Sequence, residues 1–197
     1  MTENSRGWKE ILFSYRSYTP VPFLIVMLIY ARPTALTMTI GFVAALVGEA
    51  VRFWGVSYAG SETRTTGTVG GSKLVVTGPY AYMRNPLYAG NIILYTGIGI
   101  MSNALVPYLQ LIALAYFAFQ YRAIVSLEEG YLGQTFPEWN EYAQHVPRFF
   151  PILRKYVSNQ HLNPDFKKAL RSERSSILAF SAMTFFLLMI MFLRGSY

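Results

Sequence analysis

Gly78-Pro79-Tyr80-Ala81-Tyr82-Met83-Arg84-Asn85-Pro86-Leu87-Tyr88 is a polar, proline-punctuated turn that runs directly into a long apolar stretch. Asn85 before Pro86 reads as a helix N-cap followed by proline at the first helical position, where the missing N–H costs nothing and the fixed φ suits the turn. A helix therefore begins here. The free N–H groups of its first turn, with Arg84 just outside, suit an anionic group such as a carboxylate. Over these residues alone, a loop that merely enters a membrane helix would look the same. Beyond Arg84, 37 uncharged residues, Asn85 to Tyr121, are interrupted by Ser102-Asn103 and Pro107. That length fits two membrane spans joined by a tight turn, a hairpin whose outer ends return to one side, so Arg84 and Arg122 should meet near the same membrane face.

The composition agrees with a membrane protein. Of 197 residues, 53% are hydrophobic, 16% aromatic and only 14% charged, too apolar for an ordinary soluble domain and one domain's worth of chain. The absence of cysteine excludes a disulfide framework, a thiolate metal site and a cysteine nucleophile. The two histidines, His145 and His161, lie in different surroundings, and no metal site is expected.

Residues 1 to 19 interleave Arg6, Lys9 and Arg16 with Trp8, Phe13, Tyr15 and Tyr18, as an interfacial lead-in would. No small-residue cleavage site follows, so this segment is expected to be retained. Ser17 to Ala31 is a first apolar run of 15 residues, short for a full span, which asks Arg16 and Arg32 to snorkel or the helix to tilt. The second run, Pro33 to Gly48, continues past Glu49 and Arg52 to Tyr58. Glu49 and Arg52 are three apart on one helix face and can pair. Such a pair marks an interior surface if it sits at membrane depth, or an interface if it sits at the cytoplasmic edge. Gly60 to Gly71, with Glu62 and Arg64, reads as a flexible loop.

After Arg122 come Glu128-Glu129, then Pro137 to Tyr142 and Val146 to Pro151. Pro137 opens a short helix with Trp139 and Tyr142 on one face, Pro147 stops it, and the segment should lie against the membrane surface as a cap. Asn163-Pro164 opens a further helix whose Lys167, Lys168, Arg171 and Arg174 suit anionic lipid head groups. Ser175 to Leu193 is a 19-residue uncharged run, a fifth span.

Five spans with the N-terminus inside place Arg32 and Arg194 outside and the other 15 of the 17 Lys and Arg residues inside. The net charge of +7 is then topology and lipid contact, and nucleic acid is not needed as a partner. The sequence therefore predicts an all-α, polytopic membrane protein of about five transmembrane helices with a cytoplasmic cap. It forms a single domain over 1–197, with its polar chemistry gathered on residues 60 to 86 and 122 to 176.

The order Gly78-Pro79-Tyr80, Arg84-x-Pro86-x-Tyr88, an apolar hairpin, Glu128-Glu129, Leu132, Phe136, Glu141-Tyr142 and Arg148-Phe149-x-Pro151 resembles the isoprenylcysteine carboxyl methyltransferase family and its phospholipid methyltransferase relatives. The resemblance covers residues 73 to 151. It implies an integral membrane enzyme that holds S-adenosyl-L-methionine at the cytoplasmic face and takes a lipophilic acceptor from the bilayer. By this resemblance Gly78, Pro79, Tyr80, Arg84, Asn85, Pro86, Tyr88, Glu129 and Tyr142 would hold the cofactor. Arg122, Glu128 and Glu129 would be catalytic, and Arg122 and Arg148 would position substrate. Two departures stand out: Asn85 occupies the place of the family's usual histidine, and the arginine ahead of the glutamate pair is Arg122, six residues before Glu128.

The chemistry asks mainly for alignment of acceptor, methyl and sulfur, and for carboxylates and aromatic faces around a cation, here Glu128, Glu129, Tyr80, Tyr88 and Tyr142. A carboxylate acceptor needs no base, whereas an amine or hydroxyl acceptor needs one, for which a glutamate is suited. Tandem glutamates are also what a solvated helix end looks like, and Arg148 could simply anchor to phosphate. Two other readings are a membrane reductase using a nicotinamide cofactor, for which no phosphate-cradling glycine motif is present, and a non-catalytic membrane protein such as a transporter subunit. The latter predicts polar groups at mid-depth, where only Glu49 and Arg52 stand out.

Overall fold

The structure is a computed structural model that describes residues 7–60, 70 and 72–194. The loop expected between Gly60 and Gly71, with Glu62 and Arg64, lies almost wholly outside the described residues. The described chain is all-helical: α1 (Trp8–Tyr15), α2 (Val21–Ile29), α3 (Ala35–Ala59), a 3-10 turn (Gly78–Ala81), α4 (Pro86–Ser102), α5 (Tyr108–Thr135), α6 (Trp139–His145) and α7 (Phe166–Arg194).

Three of these helices, α3, α5 and α7, are long and apolar enough to cross a membrane. With 25, 28 and 29 residues they reach about 38 to 44 Å, more than the ~30 Å hydrocarbon core. The expected count of about five adds two shorter apolar helices. α4, with 17 residues, is about 26 Å long, whereas α2, with 9, reaches only about 14 Å. The Ser17 to Ala31 run is shortened because Pro20 separates α2 from the turn that ends α1. At the other end of the chain, the basic segment and the last span are one uninterrupted helix. Asn163-Pro164 precede α7, and Asp165 Oδ1 accepts from the Lys168 N–H at 2.9 Å. The Asp165 N–H bonds Ser57 O at 2.8 Å, pinning the start of α7 to the end of α3.

α3 and α4 run antiparallel and touch backbone to backbone. Thr34 and Thr37 close a reciprocal capping box that starts α3, and the Arg32 N–H bonds Ser102 O at one end of the pair. At the other end Gly55 lies against Leu87. Between them Gly41 faces Gly97 and Met101, while Gly48 faces Gly90 and Leu94, so a Cβ on either α3 glycine would strike main-chain atoms of α4. Lipid is as apolar as leucine, so such close approach, more than hydrophobic burial, holds helices together in a bilayer. α7 closes over this pair through Phe180, Met183 and Leu187, which join Met27, Leu94 and Met101 in the main buried cluster. A second cluster, Phe13, Phe117, Tyr121 and Ile124, ties α1 to α5. A third lies in the cap, where Trp139 and Tyr142 are buried on Val76 and Val146. The aromatic face of α6 is thus turned into the protein, not onto the membrane surface as expected, because the 72–77 segment folds over it.

Candidate functional site

The turn before α4 and the end of α5 meet at one end of the bundle around a cavity of about 570 Å³. The turn is shaped by Gly78, whose φ of +62° is a left-handed conformation and whose hydrogen leaves room for the Tyr58 ring, 2.5 Å from where a Cβ would stand. α4 begins at Pro86 with Asn85 at the cap position, as expected. The Asn85 side chain, however, does not cap the helix: its Nδ2 donates to Arg148 O at 3.2 Å, and its backbone N–H bonds the same carbonyl at 3.1 Å. The first-turn N–H groups of α4 therefore have no side-chain cap.

The two glutamates part company. Tyr88 donates its hydroxyl to Glu128 Oε1 at 2.8 Å, and both residues line the cavity. Glu129 points instead into the cap. Its Oε1 accepts from Arg84 Nε at 2.9 Å, and its Oε2 pairs with Arg148 at 2.7 Å. Arg84 also donates to the carbonyls of Ala143 at 2.5 Å and Val146 at 2.8 Å, and its guanidinium stands 5.6 Å from the Trp139 ring centroid. Tyr142 donates to Tyr80 O at 2.7 Å, joining α6 to the turn. Burial raises the Tyr80 hydroxyl well above the ordinary tyrosine range, reinforced by the Glu128 charge. Tyr142 is raised by burial, then by Tyr80. Both therefore stay protonated at neutral pH and remain donors.

Of the residues singled out in the sequence, Tyr80, Arg84, Asn85, Pro86, Tyr88, Glu128 and Tyr142 line the cavity. Gly78 and Pro79 shape the turn behind it, and Glu129 and Arg148 form the tie beneath. Arg122 is exposed on α5 and outside the cavity lining. The structure adds wall residues that sequence reasoning passed over. Trp139 lines the cavity while packing in the cap, and Arg16 enters from the end of α1. Deeper along α4 and α7, Asn91, Tyr95 and Glu173 also line it. Glu173 had a signal, being the one acid among Lys167, Lys168, Arg171 and Arg174. Glu49 and Arg52 do pair on one face of α3, at 3.6 Å, but Arg52 bonds more closely to Glu173, at 2.5 Å. The pair belongs to an interior surface. Among the described residues, no group of three or more His, Asp or Glu side chains is placed to hold a metal ion.

Two curated relatives are the nickel-cobalt-cadmium resistance protein NccN of Alcaligenes xylosoxydans xylosoxydans and the cobalt-zinc-cadmium resistance protein CzcN of Cupriavidus metallidurans. The first is 33% identical over 125 residues, 64% of this chain and 54% of that protein. The second is 35% identical over 121 residues, 61% of this chain and 52% of that protein. The chain spans about half the length of the curated relatives it matches. No solved structure matches it significantly. The phospholipid methyltransferase family matches residues 36–138, from the start of α3 through the glutamate pair to the edge of α6. With just over half of its residues inside that match, the chain belongs to the phospholipid methyltransferase family.

Proposed function

We propose that this chain is an S-adenosyl-L-methionine-dependent methyltransferase acting on a lipophilic or membrane-embedded acceptor at the cytoplasmic membrane face, with its N-terminus on that side. One observation carries the reading. Two motif blocks some 40 residues apart are joined by Tyr88 to Glu128 and by Arg84 to Glu129, around a single cavity of about 570 Å³, within the usual range for small-molecule sites.

The residues present fit the cofactor. When bound, S-adenosylmethionine supplies a methyl group already activated on a sulfonium. The Glu128 carboxylate and the Tyr80, Tyr88 and Tyr142 side chains on the cavity wall suit a cation. The uncapped first turn of α4 suits a carboxylate. Glu128 is the candidate base for an acceptor that must shed a proton. Glu129, Arg84 and Arg148 frame the site, since their charged groups are already spent on one another. Arg122, exposed on α5, is given no part in the transfer. Anionic head groups would meet the basic face at Lys167, Lys168, Arg171 and Arg174, and the metal resistance in the relatives' names would follow from altered membrane chemistry.

Calorimetry on the purified chain in detergent tests this reading. S-adenosylmethionine or its demethylated product should bind in the micromolar range, about −8 kcal/mol. Glu128→Gln should weaken binding by about tenfold, the scale of one charge-assisted contact. A wild-type protein that binds neither compound ends the proposal. Mass-spectrometric comparison of membranes with and without the enzyme, looking for the gain of one methyl mass, would then identify the acceptor.

A further inference from the structure

Phe150, Leu153 and Val157 are 84%, 103% and 86% exposed, the three most exposed large apolar side chains among the described residues. All three lie in one stretch outside the helices, Phe150-Pro151-Ile152-Leu153-Arg154-Lys155-Tyr156-Val157, between α6 and α7. Lipid around a spanning helix does not account for exposure on a loop. A contiguous apolar display of this kind marks a contact with a membrane or another protein.

Backbone hydrogen bonds fix where the stretch sits. It runs as a strap antiparallel to the turn before α4. Arg84 and Asn85 donate their N–H groups to the carbonyls of Pro147 and Arg148 at 2.8 and 3.1 Å, and Ile152 and Tyr156 donate theirs to Tyr82 and Ala81, both at 3.0 Å. Ile152 and Tyr156 are half-buried, the Tyr156 ring centroid 5.5 Å from that of Tyr142. Phe150, Leu153 and Val157 are left outward, with Arg154 and Lys155 exposed between them. Two aromatic contacts give the level. Phe149 packs on the Phe13, Tyr121 and Ile124 cluster that ties α1 to α5. The Tyr82 ring stands 6.1 Å from Trp54, which is 41% exposed and five residues, about 8 Å, from the end of α3. An exposed tryptophan there, on a helix long enough to cross a membrane, sits at head-group height. The strap is therefore level with the lipid–water boundary, beside the point where α4 begins.

Charge selects the lipid. From Tyr142 to Pro164 the chain has no Asp or Glu. Arg148 is spent on Glu129, whereas Arg154 and Lys155 stand exposed among the apolar side chains. Apolar side chains that enter a leaflet, flanked by cations that stay at its surface, are matched by an anionic membrane. The bilayer is already at this height, so its surface is the nearest occupant.

We propose that Phe150, Leu153 and Val157 dip into the leaflet surface and that Arg154 and Lys155 bias the strap toward anionic head groups, seating the turn before α4 on the membrane. The inference goes beyond the methyltransferase reading and does not depend on it. It also gives the surface contact expected of α6, whose aromatic face is turned inward, to the strap that follows.

The full chain in lipid nanodiscs tests this directly. Because the chain has no cysteine of its own, Leu153→Cys can carry a polarity-sensitive fluorophore, with Gln144→Cys, exposed on α6, as the water-facing reference. In discs containing phosphatidylglycerol the label at 153 should emit to the blue of the label at 144 and lose most of its fluorescence to lipids spin-labelled on the acyl chain near the head group. Phosphatidylcholine alone should give less insertion, since each cation is worth roughly fivefold in attraction to an anionic surface. Arg154→Ser with Lys155→Ser should abolish that difference between lipids. Val157→Cys provides a second labelling site should the first variant reconstitute poorly. Equal, weak quenching at 144 and at both strap positions overturns the proposal and leaves the ridge to a protein partner. Insertion that is the same in both lipids overturns the role given to Arg154 and Lys155. Neither result bears on cofactor binding, which is read separately by calorimetry.

Discussion

At the scale of single residues, the adjacent glutamates divide the labour of the site. Glu128 faces the cavity and is held by one hydroxyl, whereas Glu129 neutralises Arg84 and Arg148 inside the cap. Adjacent helical residues point about 100° apart, so only one of a tandem pair can face a given wall, and sequence alone does not say which. Glu129→Gln should therefore act on stability first. Arg84 is almost buried, and stranding its charge costs about 3 kcal/mol. Arg148, with a side chain 44% exposed, adds less than ~1 kcal/mol. Thermal unfolding in detergent should show a clear loss for Glu129→Gln and little change for Glu128→Gln, while ligand titration of the folded proteins should show the larger loss for Glu128→Gln. The opposite pattern would return Glu129 to the cavity. Arg84→Lys should fare little better than Glu129→Gln, since an ammonium cannot reproduce the forked contacts to Glu129, Ala143 and Val146.

At the scale of elements, the α3 and α4 pair is the frame on which both ends of the cavity are hung. Its glycines recur at seven-residue spacing, 41 and 48 on one helix, 90 and 97 on the other, and they meet across the interface. Gly48→Ala places a methyl against the main chain of Leu94 and Gly90, where neither backbone can yield without parting the helices. The expected cost is about 1–3 kcal/mol, read as a lower unfolding temperature. Gly130, with open space around its Cβ position, should accept alanine without that loss. Equal tolerance at Gly48 and Gly130 would mean that the helices do not touch as described. The continuity of α7 has a similar lesson. The change from Arg174 to an apolar run at Ser175 looks like a boundary in composition, yet helix hydrogen bonding runs through it, because nothing at 172–176 breaks a helix.

At the scale of the whole molecule, the start of α4 and the ends of α3 and α5 gather at one end with α6 and the start of α7, while Ser102 to Pro107 turns at the other. Because the chain contains no cysteine, single cysteines report on sidedness directly. In intact cells a membrane-impermeant maleimide should label Val106→Cys from outside and Asn159→Cys only after permeabilisation; the reverse would invert the proposed topology. What the sequence determined by itself is local and compositional. Apolar runs marked where the long helices lie, though not where they end, Pro86 set the start of α4, and the order of short motifs was enough to name the family, since each depends on neighbours along the chain. What only the tertiary structure decided is which groups share a space: that Glu128 and not Glu129 meets the cavity, that Arg122 stands outside it, that Arg52 on α3 is claimed by Glu173 on α7. The sequence separation of that last pair, 121 residues, leaves no local periodicity to announce it, and the cost of burying charge is met only when distant helices bring their partners together.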